Sequence, residues 1–306
     1  MKRVTVFGSF HYDMTVRVPC FPRPGETVLG LEFVVGPGGK GSNQAVAAQR
    51  AGAKVQFITK VGTDSFGDYA VQTCRSICVG TAGILRDSTR PTGSAFILLD
   101  EDSRQNMIVV NSGACGQIEP EDMERVSSLL DDAEILLIQL ETNLSAVEAA
   151  VRRVKAHGGL VMLNPAPAAP LSEYLYQNID IITPNETEAE TYTGIRVDSF
   201  QAAEAAAGVL RSRGVRQVVI TLGARGAYVN DGASSRIVEG FLVTAIDTTG
   251  AGDAFNGAAA AAIAGGASLF EAAWAGNAAG ALAVTRMGAG LAAPAKEEID
   301  QLLKEG

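Results

Sequence analysis

Hydrophobic and polar positions along the 306-residue chain follow two patterns. The first consists of short, mostly apolar runs separated by Ala-rich stretches with helical periodicity. The runs at 3–8, 55–60, 135–139, 160–163, 179–183 and 217–221 predict strands covered on both faces. The intervening stretches at 41–51, 121–130, 145–156, 186–193 and 199–213 predict helices. Strands and helices in alternation predict an α/β fold: a doubly wound, mostly parallel sheet with helices on both faces.

The second pattern interrupts the first twice. Residues 14–18 and 27–35 alternate, or nearly so, around the turn FPRPGE, and residues 95–99 and 105–110 flank the acidic turn DEDS. These predict two hairpins, at about 14–35 and 95–110, forming a small β-lid beside the main sheet. No repeat, low-complexity linker or composition shift divides the chain, so residues 1–306 are expected to form a single domain.

Composition narrows the function classes. Apolar residues make up 47% and charged residues 19%, which is globular rather than disordered. A net charge of −9 gives no electrostatic footprint for nucleic acid or an anionic membrane. It leaves anionic substrates open, because backbone N–H groups hold phosphates on acidic proteins. The apolar run in MKRVTVFGSF is too short for a signal peptide, and no run can span a bilayer. Cys20, Cys74, Cys78 and Cys115 lack metal-site spacing and read as reduced thiols of a cytoplasmic protein. The only histidines, His11 and His157, are expected to form no catalytic pair with a cysteine.

Chemistry concentrates in a few glycine-rich motifs. DTTGAGDAFNG, at 247–257, follows the strand-like FLVTAI and enters a helical run. Gly250, Ala251 and Gly252 would then lie at a helix N-terminus, where free N–H groups face charge on a transferring phosphoryl group. Asp253 in that first turn can take a hydroxyl proton, or can simply stabilise the helix end. GPGGKGSNQ, at 36–44, has four glycines in six residues and then Asn43, an amide able to bond hydroxyls. Gly36, Gly38 and Gly41 fit a dinucleotide fingerprint, but no acidic residue ends the next strand; Gly41 after Lys40 breaks the phosphate-loop pattern. In TPNETEAE, at 183–190, Asn185 and Glu188 can orient hydrated Mg²⁺ or form a capping box. TLGARG, at 221–226, is a glycine-bearing turn at a strand's carboxyl end, where nucleotides lie in open sheets. Asp13 and Glu141 should lie near the same sheet edge, within reach of a polyol.

Together these stretches resemble the ribokinase-like, PfkB-type family of carbohydrate kinases. The resemblance runs in order through GSFHYD, PGET, GGKGSNQAVAA, QLE, NPAPA, DIITPNETEAE, TLGARG, DTTGAGDAFNGA and VTRMGA. It implies an ATP- and Mg²⁺-dependent sugar kinase, with phosphoryl transfer to the 5-hydroxyl of D-ribose as the expected reaction. Asp253 is then the general base, and Gly250, Ala251 and Gly252 form the anion hole. His11, Asp13, Gly39, Lys40, Gly41, Ser42, Asn43 and Glu141 correspond to the sugar site. Asn185, Thr221, Leu222, Gly223, Ala224, Arg225, Gly226, Gly252 and Asn277 correspond to the nucleotide region, with Glu188 reaching Mg²⁺ through water. Asp247, Thr249, Ala283, Arg286, Gly288 and Ala292 match positions around an activating monovalent cation such as K⁺. The hairpins match a lid that closes over the sugar and forms a homodimer contact.

Three positions depart from the family pattern. His11 replaces a frequent amide near the sugar, Ala292 lacks a hydroxyl of the cation shell, and Asn277 replaces a histidine of some relatives. His11 keeps a kinase for another sugar (a ketohexose or deoxyribose) or for a nucleoside in view. A non-catalytic sensor of sugar or nucleotide would be expected to have lost Asp253 or its glycines, and both are present.

Overall fold

The computed structural model describes residues 2–103 and 105–305. Its strands in chain order are β1 (Arg3–Phe7), β2 (His11–Val18), β3 (Glu32–Gly38), β4 (Lys54–Gly62), β5 (Gly80–Asp87), β6 (Ser94–Asp100) and β7 (Asn106–Asn111). They continue as β8 (Ile135–Ile138), β9 (Leu160–Leu163), β10 (Ile181–Ile182), β11 (Gln217–Thr221), β12 (Ala227–Asn230) and β13 (Ser235–Val238). Nine of them form the main sheet in the order β13-β12-β11-β10-β9-β8-β1-β4-β5. From β11 to β5 every pair is parallel, and the β12–β13 hairpin is an antiparallel edge.

The helices are α1 (Lys40–Arg50), α2 (Ser65–Ser76), α3 (Pro120–Arg125), α4 (Ser127–Asp131), α5 (Leu144–Ala156) and α6 (Glu173–Asn178). Then come α7 (Glu186–Thr193), α8 (Phe200–Ser212), α9 (Ala251–Ala264), α10 (Leu269–Ala283) and α11 (Lys296–Glu305). Side chains of each central strand alternate between two cores. Leu136 and Ile138 join Val147, Val151, Ala206 and Leu210 of α5 and α8 on one face. Ile135 and Leu137 join Ala45, Ala48, Ala260 and Ala272 of α1, α9 and α10 on the other. Burial on both faces is why these strands read as unbroken apolar runs.

Small residues let α9 lie close on α1: a Cβ on Gly257 would come within 2.4 Å of Ala47 Cβ. α1 in turn presses on the exit of β1, where a Cβ on Gly41 would lie 2.6 Å from the Gly8 carbonyl carbon. The apolar runs flanking β1 diverge in connection: β4 and β5 lie on one side, β8 to β11 on the other. The gap between β1 and β8 is therefore the topological switch point, where open α/β sheets bind ligands at their carboxyl ends.

Both predicted hairpins are present and join through a parallel β2–β6 pair, giving the second sheet β3-β2-β6-β7. β2 starts earlier and β3 ends later than the alternation suggested, so His11, Asp13 and Gly38 belong to the lid base. Much of the lid stands open, with Phe33 63% and Val109 68% exposed.

Three expected elements differ. The helix expected at 121–130 breaks at Val126, whose side chain turns into the core, leaving α3 and α4. The strand at 179–183 pairs only over Ile181–Ile182. FLVTAI is no strand: Leu242 is 96% exposed, and the segment is tied down by the Ile246 N–H donating to the Val284 carbonyl (2.7 Å). Among the described residues no helix is long and apolar enough to cross a membrane.

Candidate active site

Asp253 lies buried in the first turn of α9, at the switch point. Its Oδ2 accepts from Asn43 Nδ2 (3.0 Å) and its Oδ1 from Gln44 Nε2 (2.9 Å). Burial raises its affinity for a proton, with a smaller contribution from Glu141, against the pull of Lys40 and the two amides. That combination is a carboxylate held ready to accept a proton.

The helix end beside it is shaped by Gly250, which is left-handed at φ 77° and caps α9. A side chain there would meet Ala289 at 2.9 Å as well as the strained φ. The Ala251 N–H turns back to the Thr248 carbonyl (3.3 Å), so it is partly engaged. Among the described residues the Gly252 and Asp253 N–H groups meet no acceptor, as expected of a first helical turn. The N–H groups left free at this helix end are thus those of Gly252 and Asp253.

Gly39, at φ 83°, caps α1 and aims that helix at the same point. The Lys40 N–H donates to Glu141 Oε2 (2.7 Å), which also accepts from Ser9 Oγ (2.5 Å). Although burial opposes its charge, Asp253, Glu141 and Glu188 together hold the Lys40 ammonium above its ordinary range. The Ser42 N–H donates to the Ser9 carbonyl (2.9 Å), fixing α1 to the β1 exit. Asn43 is buried, and among the described residues its Oδ1 has no partner while its Nδ2 is spent on Asp253. That leaves a fixed acceptor beside Asp253.

Asp13 hangs from β2 over Gly38, where a Cβ would fall 2.0 Å from its Oδ2. Burial, then Glu141, raises its carboxyl to about 7. A carboxyl raised in the fold lends stability that is complete below its unfolded pKa of about 4 and fades as pH rises through its folded value. The sugar-free chain should therefore lose stability between about pH 4 and pH 7, and Asp13→Asn should flatten that slope. Urea unfolding across this range checks it, and an unchanged slope in the variant would contradict it.

His11 is at the lid base with its ring buried, Nε2 standing 3.7 Å from Cys115 Sγ. The fold thus brings together a histidine and a cysteine that lie 104 residues apart in the chain. Burial makes the pair inert, however, lowering the His11 pKa and pushing the Cys115 thiol up to about 12.

Asn185 and Glu188 form a capping box at the start of α7: Asn185 Oδ1 accepts from the Glu188 N–H (2.8 Å), and Glu188 Oε2 accepts from the Asn185 N–H (2.9 Å). Burial raises the Glu188 carboxyl, while Lys40 opposes and Asp253 adds. Asn185 also bridges to Thr221, which joins α7 to the turn after β11. In that turn the Leu222 N–H donates to the Gly226 carbonyl (2.8 Å), with Gly223 at φ 59° and Gly226 at φ 92°. Arg225 beyond Ala224 pairs with Glu186 (2.5 Å). Asn277 lies across from this turn's strand pair, its Nδ2 donating to the Val238 and Glu239 carbonyls (2.9 and 3.0 Å). Its amide hydrogens are therefore committed to the protein.

Asp247 ties the last group together. Its Oδ1 accepts from the Thr249 N–H (2.9 Å) and its Oδ2 from the Gly288 N–H (3.0 Å). The Ala283 carbonyl accepts from the Arg286 N–H (3.1 Å), while the Arg286 guanidinium pairs with Glu298. Ala292 is buried in the next turn, whose flanking carbonyls of Leu291 and Ala293 are held by Arg50 (2.7 Å each). Among the described residues no three His, Cys, Asp or Glu side chains converge as a metal cluster.

Sequence reasoning did not single out Gln44, Gln139, Asn164, Thr183 or Asn256, all buried beside Asp253. They lie on five segments of the chain, so no local spacing betrays them.

A family model for the pfkB family carbohydrate kinases matches residues 1–296. The chain belongs to this family. As a pfkB-family kinase it is 44% identical over 303 residues to the ribokinase of Haemophilus influenzae, covering 99% of each protein. It is also 37% identical to the deoxyribokinase of Salmonella typhi, over 83% of each. The structure of Arabidopsis thaliana ribokinase complexed with ribose and ATP superposes with a TM-score of 0.91 at 29% identity, covering 99% of both chains. These pfkB-family likenesses extend over both the main sheet and the lid.

Proposed function

We propose that the chain transfers the γ-phosphoryl group of ATP to the 5-hydroxyl of D-ribose, giving ribose 5-phosphate and ADP. The observation that carries this is the buried Asp253 carboxylate, held by two amides beside the open Gly252 and Asp253 N–H groups. The ribokinases among its relatives support ribose as the acceptor.

Each residue follows from its place. Asp253 takes the hydroxyl proton as that oxygen bonds to the γ-phosphorus and the bond to the ADP oxygen breaks. The Gly252 and Asp253 N–H groups, with the dipole of α9, face the charge on the transferring group. Lys40 adds a cation between the two substrates. Asp13, Gly39, Gly41, Asn43 and Glu141 line the sugar side, with Ser42 and His11 behind them. Thr221–Gly226 and Asn185 form the nucleotide side, and Asn277 shapes it by holding Val238 and Glu239.

Mg²⁺ fits as an ion carried in on the phosphates: Glu188 offers one hard carboxylate, and among the described residues no protein cage competes. When bound it neutralises phosphate charge. A monovalent cation would be held at the loops that Asp247 joins by accepting from the Thr249 and Gly288 N–H groups. The exposed lid strands fit a homodimer contact, and closure of the lid would exclude water that otherwise hydrolyses ATP. We place the enzyme in the cytoplasm, where ATP is.

A second reading, deoxyribose as the acceptor, is favoured by the deoxyribokinase likeness together with His11. Sugar-dependent ADP formation, measured on ribose, deoxyribose, fructose, tagatose and several nucleosides with and without K⁺, separates them. The proposal expects highest kcat/KM on ribose. Turnover on deoxyribose with silence on ribose would overturn it in favour of the second reading.

A further inference from the structure

Behind Asp253 lies a row of uncharged polar side chains, Gln139, Gln44, Asn164, Thr183 and Asn256, none more than 7% exposed. Their hydrogen bonds run in one direction. The Thr183 carbonyl can only accept, so Asn164 turns its Nδ2 to it (3.1 Å) and its Oδ1 toward Gln44. Gln44 Nε2 donates to that oxygen (3.0 Å), and its Oε1 accepts from Gln139 Nε2 (2.5 Å). The other Nε2 hydrogen goes to Asp253 Oδ1 (2.9 Å). Flipping the Gln44 amide would set its oxygen against two acceptors and its nitrogen against a donor, so one orientation is imposed from the backbone upward.

The same row steadies the helix end. Thr183 Oγ1 donates to Asn256 Oδ1 (2.6 Å), and Asn256 Nδ2 donates to the Gly252 carbonyl (2.8 Å). That carbonyl shares a peptide plane with the Asp253 N–H, so holding one aims the other.

We propose that Gln44 is a positioning residue for phosphoryl transfer. Anchored through Gln139 and Asn164 to the carboxyl ends of β8 and β9, it holds the Asp253 carboxylate in one orientation. The lone pairs left free then point to the acceptor hydroxyl. A buried amide serving only the core would leave rate untouched once the fold is retained; Gln44 instead spends a hydrogen on the reacting carboxylate. The inference rests on Asp253 being the base.

Wild type, Gln44→Met and Asp253→Asn are compared on ribose and MgATP, with kcat and KM from ADP release and ligand Kd from calorimetry. Gln44→Met should lower kcat about 30-fold or more while KM and Kd stay within about threefold, the signature of an interaction felt in the transition state. Wild-type kcat in Gln44→Met beside an inactive Asp253→Asn would overturn the role of Gln44 alone. So would a raised KM at unchanged kcat. A wild-type rate in Asp253→Asn would instead overturn the base assignment beneath it. Should Gln44→Met fail to fold, the isosteric Gln44→Glu is read in its place. Its expected result is the same loss of kcat with KM retained, and an unchanged kcat overturns the proposal.

Discussion

Asp253→Asn is expected to lower kcat by about 10³-fold or more, the scale of a lost general base. The side chain keeps its shape, so sugar and ATP dissociation constants should remain measurable and close to wild type. One conflict is built in. Both Asp253 oxygens accept from amide donors, Asn43 Nδ2 and Gln44 Nε2. In the variant one of them becomes an NH₂ facing a donor. The fold should therefore lose about 1–3 kcal/mol for the unmade bond, offset in part by removal of a buried charge. Steady-state kinetics with calorimetric titration of each ligand checks both parts, and a variant with near-wild-type kcat would end the base assignment.

Gly41→Ala should do nearly as much damage by a different route. The added Cβ would lie 2.6 Å from both the Gly8 carbonyl carbon and the Ser9 nitrogen, and 2.7 Å from the Ser9 oxygen. All three belong to the backbone leaving β1 and have no rotamer by which to yield. α1 must lift, carrying Asn43 and Gln44, the two partners of Asp253, with it. Overpacking of this kind costs about 1–3 kcal/mol, and a shift approaching 1 Å at a reacting group costs roughly 10²-fold in rate. Gly36→Ala is the control: no atom lies within 4 Å of its Cβ, and stability should change by no more than about 0.5 kcal/mol. Urea unfolding and kcat for both variants decide it. A Gly41→Ala protein with wild-type stability and rate would contradict the close seating of α1 on β1.

The comparison of these two glycines shows how far sequence reading reaches. Gly36, Gly38, Gly39 and Gly41 form one motif in the sequence, yet Gly41 is pressed against backbone and Gly36 is free. The strands at the sheet centre were legible because burial on both faces forces apolar runs, as in Ile135–Ile138. β5 was not, since Gly80–Asp87 carries two glycines and a register shift within its pairing to β4 at the sheet edge. FLVTAI misled in the opposite sense, being apolar without a ladder partner. The motif ends that bear Asn43, Glu141 and Asn185 were legible because each follows a strand, and Asp253 because its glycines open a helix. The amide row behind Asp253 was not, because Gln44 and Asn164 are 120 residues apart. Only the fold brings Cys115 to His11 or Thr183 to Asn256.

Phosphoryl transfer from ATP to one hydroxyl of ribose fixes the identity of the product. Phosphorus and carbon NMR of the product from ribose and MgATP should show one new phosphate ester, at C5, formed in step with ADP. A phosphate at another carbon, or ADP and inorganic phosphate with no sugar ester, would contradict it.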